Sequence, residues 1–510
     1  MKRVPSIAAL LVALTISASP ARAGDDAAVL LEQLRLEEAE AAIAGQAETA
    51  ANEYLRARIA LHRGRFAEGL RHVRRSLELL PAYPDADPRP DLAKLLEESD
   101  ARLGKHAEFK SADGRYVVRT PRGRAEILAP YALEALEHAD TVYAEVFGEA
   151  HPGPIRVDVV RGPEDLSRVS TLSEEAILTT GTIALCKWDR MLVTTPEALA
   201  RGYPWLDTIA HELAHLYLSR VSREKAPVWF HEGLAKVLER LPKGEGVDAP
   251  LEPASRALLA KHAAKGTLLP FSAFHPSIAL LPSQEQAALA YAEAATFVSK
   301  FLTEHGAEGL RQVVHRIAHG ASLESALEAV SGKPFAVMEE EWKASLAGLA
   351  GDRVEPLERR FVDEASDADD LRDVKSEDAR NALRLGDLLW ARRRPKAAAV
   401  QYERGAKVAP KNPILLSRLG RAALEAGDAA SAVHAAERAI TLHPDHAPAH
   451  SLLARALLLS GRPEEAARAA LDAIARNPFD PAPHCVLAES AADGATRKRE
   501  RDVCERLGGR

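Results

Sequence analysis

Apolar positions recur at three- and four-residue intervals through most of this chain, the spacing of helices that bury one face. Residues 24 to 104 follow it, and "YLRARIALHRGRFAEGLRHVRRSLELLP" reads as a helical hairpin with Gly64 at its turn and Pro81 at its end. The pattern then changes. "GRYVVRT" (114 to 120) and "IRVDVV" (155 to 160) alternate or run apolar like strands, and a helix from Ala129 to Phe147 lies between them. "TGTIALC" and "MLVTT" flank Lys187-Trp188-Asp189-Arg190, which predicts a hairpin with a short loop. Helical spacing resumes from Trp205 to about Leu349. Strands followed by helices predict an α+β domain.

The C-terminal part repeats itself. Pro410, Pro444 and Pro478 recur every 34 residues, and so do Leu385, Leu419 and Leu453. Gly386, Gly420 and Ala454 align where two helices would touch; Ala398, Ala432 and Ala466 align further on, and Gly427 and Gly461 mark turns. This period resembles the tetratricopeptide repeat, with three repeats over 379 to 480 and a capping helix pair from 481 to about 507. Most of that family's aromatic positions are Leu or Ala here, Tyr402 excepted. Residues 24 to 104 read as a shorter, degenerate array of the same kind. Stacked helix pairs imply a surface for a protein partner, or a purely structural spacer.

The N-terminus has basic Lys2 and Arg3, an apolar run from Ile7 to Ile16, and Ala21-Arg22-Ala23. That is the pattern of a Sec signal peptide cut after Ala23, which predicts a periplasmic or secreted protein. The run is shorter than the ~20 residues of a membrane span, and the mature chain holds no longer one. A formal charge of −7 without a basic block gives no reason to expect nucleic acid. Aromatic residues are only 5% of the chain and alanine is abundant, which suits close helix packing. Export would permit a bridge between Cys485 and Cys504, which the sequence leaves open. Cys186 would then be a small buried apolar residue. The acidic stretch 363 to 378 reads as a solvated linker or helix surface.

The chemistry lies in "TIAHELAHLYLSRV", which begins at Thr208. His211 and His215 stand one helical turn apart on one face, close enough for both imidazoles to reach a single metal ion. Glu212 is rotated off that face, too far to be a third ligand but within reach of a metal-bound water. The flanking Ile209, Leu213, Leu216 and Leu218 are apolar, so three polar groups among them need partners. Downstream, "WFHEGLA" carries Glu232 on what should be the next, antiparallel helix, opposite the histidines, with Pro227 near its start. His231 should face away from the site. Two histidine sets act as controls. His315 and His319 share the four-residue spacing but lack the glutamate and the second segment; they and the "HPDHAPAH" histidines His443, His446 and His450 read as ordinary helix surface.

HExxH followed by W-F-x-E-G-x-A resembles the gluzincin zinc metallopeptidases, which include the thermolysin-like enzymes and a large aminopeptidase family. The resemblance covers roughly 105 to 350. It implies a thermolysin-like α+β fold, one catalytic Zn²⁺ held by His211, His215 and Glu232, and Glu212 as the general base of peptide hydrolysis. It also implies a substrate strand along the edge near Thr182 to Cys186. Tyr291 lies where related domains often show a tyrosine: an oxyanion donor, or a packed core residue. The segment that holds a free N-terminus in the aminopeptidases is missing. Where thermolysin-like enzymes have an aspartate that orients a histidine ligand, this chain has Lys236, so that partner must come from elsewhere.

The resulting expectation is a signal peptide (1–23), a TPR-like helical region (24–104), a zinc metallopeptidase domain (105–350), a charged linker (351–378) and a C-terminal TPR array with capping helices (379–510). Its substrate is a peptide or protein. The alternative is a non-catalytic TPR scaffold with a metallopeptidase-like domain.

Overall fold

The computed structural model describes residues 23–81, 87–274, 276–349, 354, 357, 360–362 and 369–509. The expected signal peptide, apart from Ala23, and most of the expected linker up to 368 lie outside the described residues. The chain divides into two compact units, Met1–Ala93 and Lys94–Arg510.

In the first unit, helices Ala23–Glu32 and Leu36–Ile43 pack as one hairpin and Ala50–His62 and Phe66–Leu79 as another. Their small core includes Ala27, Leu31, Leu36, Ile43, Leu55 and Ile59. Thr49 starts the third helix by accepting the Asn52 N–H, a side-chain N-cap.

The second unit opens with a five-stranded sheet: β1 (Ala107–Lys110), β2 (Tyr116–Thr120), β3 (Ile155–Val160), β4 (Ala184–Lys187) and β5 (Arg190–Thr194). Their order is β1-β2-β3-β5-β4. The inner pairings β2–β3 and β3–β5 are parallel, and the edge strands β1 and β4 run antiparallel to their neighbours. β3 is central, so Ile155, Val157, Val159 and Val160 are all buried, and so is Asp158 between them, whose carboxylate pairs with the buried Arg190 at 3.0 Å. Trp188 and Asp189 form the β4–β5 turn, both with φ of 54°, the left-handed pair that a two-residue hairpin needs. β4 is thereby left at the edge. Cys186, expected to be buried, is partly buried on it and packs against the main core.

Helix Leu128–Phe147 packs on β2 and on helix Trp205–Val221, and its Tyr143 hydroxyl donates to the Ala210 carbonyl at 3.0 Å. The next helix, Val228–Leu238, packs between Trp205–Val221 and the long helix Gln284–Ala318, which bends at Gly306. Gly233 makes that packing possible: a Cβ there would stand 2.6 Å from the Ala294 carbonyl oxygen. The glycine after Glu232 therefore lets two helix backbones meet.

Three helix pairs follow at the expected period: Glu377–Ala391 with Pro395–Val408, Pro413–Glu425 with Ala429–Leu442, and Ala447–Leu459 with Pro463–Ile474. A fourth pair, Pro481–Ser490 and Gly494–Arg506, closes the array and carries a Cys485–Cys504 disulfide. At the first repeat's small position, a Cβ on Gly386 would meet the Tyr402 ring at 2.3 Å. The array is docked on the α+β part. The Trp205 N–H and indole N–H donate to the Ala475 and Ile474 carbonyls at 3.1 and 2.9 Å, and Arg201 pairs with Asp370 and Asp373. This docking corrects one expectation. His443, His446 and His450 are 8, 4 and 4% exposed, not helix surface, because their repeat boundary faces protein instead of water. Among the described residues, no helix is long and apolar enough to cross a membrane.

Candidate metal and catalytic site

The site is built where helices Trp205–Val221 and Val228–Leu238 face each other. His211 and His215 project one turn apart, their ring centroids 4.8 Å apart and nearly perpendicular. One oxygen of Glu232, Oε2, lies 3.4 Å from His211 Nε2 and 3.5 Å from His215 Nε2. Among the described residues these three form the one group of His, Cys, Asp and Glu side chains close enough to hold a metal ion. Glu212 is buried beside them, and its Oε2 has no hydrogen-bond partner. The backbone N–H of Cys186, on the edge strand, donates to the same carboxylate.

Glu239 supplies the orienting partner that Lys236 cannot. His211 Nδ1 donates to Glu239 Oε2 at 2.8 Å, which directs Nε2 towards Glu232. Lys236 holds the other Glu239 oxygen at 2.6 Å. Glu239 follows Glu232 by two helical turns, so the same helix face carries both. That spacing is the signal that a search at the fourth position alone overlooks.

Burial opposes the His211 imidazolium, but Glu232 and Glu239 outweigh it and push that group up to about 10. Burial likewise opposes the Glu232 carboxylate, yet the facing histidines hold it well below the usual carboxylate range. Glu212 is raised, chiefly by burial, with the Glu232 charge adding to it. His231 does not face away as expected: its ring lies 5.5 Å from that of His215. His231 and Glu232, successive residues of the facing helix, therefore both stand against His215. Tyr291 stands edge-on to His211, with centroids 6.2 Å apart. It lines the same cavity of about 1610 Å³ as His211 and Glu212. By contrast, His315 and His319 are exposed on their helix, as expected.

Residues 141–348 match the family model of the Peptidase MA superfamily, and residues 417–481 match that of the tetratricopeptide repeat. The chain carries a Peptidase MA superfamily domain joined to tetratricopeptide repeats. The first match runs from within helix Leu128–Phe147 to the helices that follow the long helix, and so includes the whole His211–Glu239 cluster. No curated protein matches the chain. Among solved structures, leukotriene A4 hydrolase from Saccharomyces cerevisiae is 13% identical over 79% of this chain and 67% of its own, with a TM-score of 0.28. A tetratricopeptide-repeat protein of Thermus thermophilus is 24% identical over 25% of this chain and 72% of its own, with a TM-score of 0.23.

Proposed function

We propose that the Peptidase MA superfamily domain is a zinc-dependent peptidase of gluzincin type, with His211, His215 and Glu232 as ligands and Glu212 as general base. The observation that carries this reading is the convergence of two imidazole nitrogens on one carboxylate oxygen at 3.4 and 3.5 Å. Ligand atoms at ~2.0–2.1 Å around a tetrahedral ion stand about 3.3 Å apart. Two imidazoles and a carboxylate are a zinc donor set, and the unpartnered Glu212 Oε2 beside them fits a group that handles a water molecule. Zinc, when bound, would supply Lewis acidity and bring water's acidity towards neutral pH. Glu212 would accept the attacking water's proton at Oε2 and return it to the departing amine.

The edge strand would align the substrate. The Ile183 carbonyl accepts from Thr194 on the β5 side, so the backbone groups of Ala184 and Cys186 point to the open edge. The Cys186 N–H already reaches Glu212, which leaves Ala184 to pair with an extended peptide beside the base. Tyr291, facing His211, would donate to the developing oxyanion. The repeats would bind a protein partner or substrate. Export to the periplasm or beyond is supported by the Lys2–Ala23 pattern and by the Cys485–Cys504 disulfide, which needs an oxidising compartment.

The test is metal content and peptide hydrolysis in the full chain and in Glu212→Gln. One zinc per chain in both proteins, with hydrolysis down by ~10²–10⁴-fold in the variant, supports the reading. Equal hydrolysis in both removes Glu212 from the mechanism. Zinc without hydrolysis in the wild type favours the scaffold alternative.

A further inference from the structure

Among the described residues, six that are not glycine have positive φ, and four of them fall in two consecutive pairs: Trp188 and Asp189, both at 54°, and Arg223 and Glu224, at 54° and 59°. Leu34 and Arg393 occur singly, each between the two helices of a hairpin. Both pairs flank the metal cluster. Trp188 and Asp189 turn the edge strand β4 just beyond Cys186, whose N–H reaches Glu212. Arg223 and Glu224 lie in the loop that joins the two helices of the cluster, Trp205–Val221 and Val228–Leu238. Glu224 is close enough to Asp189, Lys187 and His215 for each charge to act on its carboxyl, so the two loops face each other at the His215 end of the cleft. The large cavity lies at the other end, with His211 and Tyr291.

The hairpin explains the left-handed backbone at Trp188 but not the tryptophan. Glycine and asparagine take that conformation at little cost, whereas a bulky side chain is strained in it. Strain of this kind clusters where a particular side chain has work to do. Core packing does not supply that work. Trp205, Trp229 and Trp342 are buried in the main core and Trp390 packs on the core of the first repeat, but Trp188 is partly exposed and belongs to neither. Lys187, tied to Thr171 Oγ1 at 3.1 Å, stands over the indole, 5.3 Å from its centroid, and so takes one face and steadies the ring. The indole N–H has no hydrogen-bond partner among the described residues. A steadied aromatic ring with a free donor, at the end of the strand edge beside the base, is suited to an extended peptide.

We propose that Trp188 is a platform for the substrate: a peptide paired with the β4 edge runs past Cys186 to the turn, where one of its side chains packs on the indole. The peptidase thereby prefers an aromatic or large apolar side chain on the His215 side of the bond to be cut. Two residues of strand are about 7 Å, so the favoured position lies within about two residues of that bond. The inference rests on the peptidase reading for the alignment of the substrate along β4.

The test reads binding, so it does not depend on turnover. Zinc-loaded, full-length Glu212→Gln protein is titrated by calorimetry with N-acetylated octapeptides of alanine and serine, one plain and the others with a single phenylalanine at successive positions. The best phenylalanine peptide should bind at least about tenfold more tightly than the plain one. Adding Trp188→Gly, which relieves the backbone, should bring that ratio close to one without lowering the melting temperature, and Trp188→Phe should keep most of it. Equal affinity for all peptides, a ratio that survives Trp188→Gly, or no binding at all overturns the platform. So does a melting temperature that falls in Trp188→Gly together with the ratio, because the indole would then be holding the turn. Wild-type protein that hydrolyses peptides without the phenylalanine preference would leave the peptidase reading standing and remove the platform. A Trp188-dependent preference in a protein that never hydrolyses peptide would do the reverse.

Discussion

Two of the chain's histidine pairs at i, i+4 spacing, His211/His215 and His315/His319, end differently. The rings of His211 and His215 lie 4.8 Å apart, those of His315 and His319 4.2 Å apart. Spacing along the helix is thus equally good in both. The first pair is turned towards Glu232 on a neighbouring helix, and His211 is held from behind by Glu239. The second is exposed, and His319 Nδ1 turns back to the His315 carbonyl of its own helix at 2.7 Å. A turn of helix makes two imidazoles neighbours; a carboxylate from another helix and a partner behind the ring make them a metal site.

The largest effect is expected where the comparison is most unequal, at Glu232. Glu232→Gln removes the charged ligand and leaves a neutral amide between two imidazoles. Stoichiometric zinc and all hydrolysis should be lost, whereas His315→Ala should keep both; metal analysis after dialysis against a weak chelator reads the difference. Retained tight zinc in Glu232→Gln would mean that the third ligand lies elsewhere. Glu239→Gln should do less. It keeps an acceptor for His211 but removes the charge that orients the ring and that Lys236 balances. Zinc affinity should fall by ~10–100-fold, measured by competition with a chelating dye.

A third histidine set sharpens the contrast by pH. His443 and His450 are buried, and burial lowers them to about 4 and about 3. An unfolded histidine titrates near 6.5. Their contribution to stability is therefore complete above pH ~6.5 and is lost as pH falls towards 4, because the unfolded chain takes up the proton first. By pH 5 each should cost on the order of 1–2 kcal/mol. Urea unfolding at pH 7 and pH 5 measures the loss, and His450→Gln should show a shallower decline than the wild type. An identical pH dependence in both proteins would show that His450 is not the group responsible.

What is legible in the sequence follows the reach of each signal. Strands β2 and β3, the β4–β5 hairpin and the repeats have local patterns, so their positions can be read directly. His211, Glu212, His215 and Glu232 can be read because a motif couples two adjacent helices. Glu239 sits two turns along the face, beyond the fourth position where Lys236 stands. His231 and the histidines of 443 to 450 escape the sequence because their burial depends on what packs against them, and helix periodicity carries no information about a docked repeat array. The Cys485–Cys504 bond depends on the separation of two helices, which the sequence leaves undetermined.

The smallest expected effect tests the comparison most directly. Arg316→Glu would complete an HExxH pattern over residues 315 to 319, on a helix that already places its histidines 4.2 Å apart. Arg316 is exposed, so the substitution should change stability by no more than ~0.5 kcal/mol. If the motif alone made the site, the variant would take up a second zinc per chain. The geometry argues that it will not. The His319 ring is committed to its own helix, and no carboxylate among the described residues stands opposite the pair as Glu232 does opposite His211 and His215. Metal content should stay at one ion per chain, lost only when Glu232 is also replaced. A second tightly held zinc in Arg316→Glu would show that helical spacing and a glutamate are enough, and that the neighbouring helix matters less than the contrast between the two pairs implies.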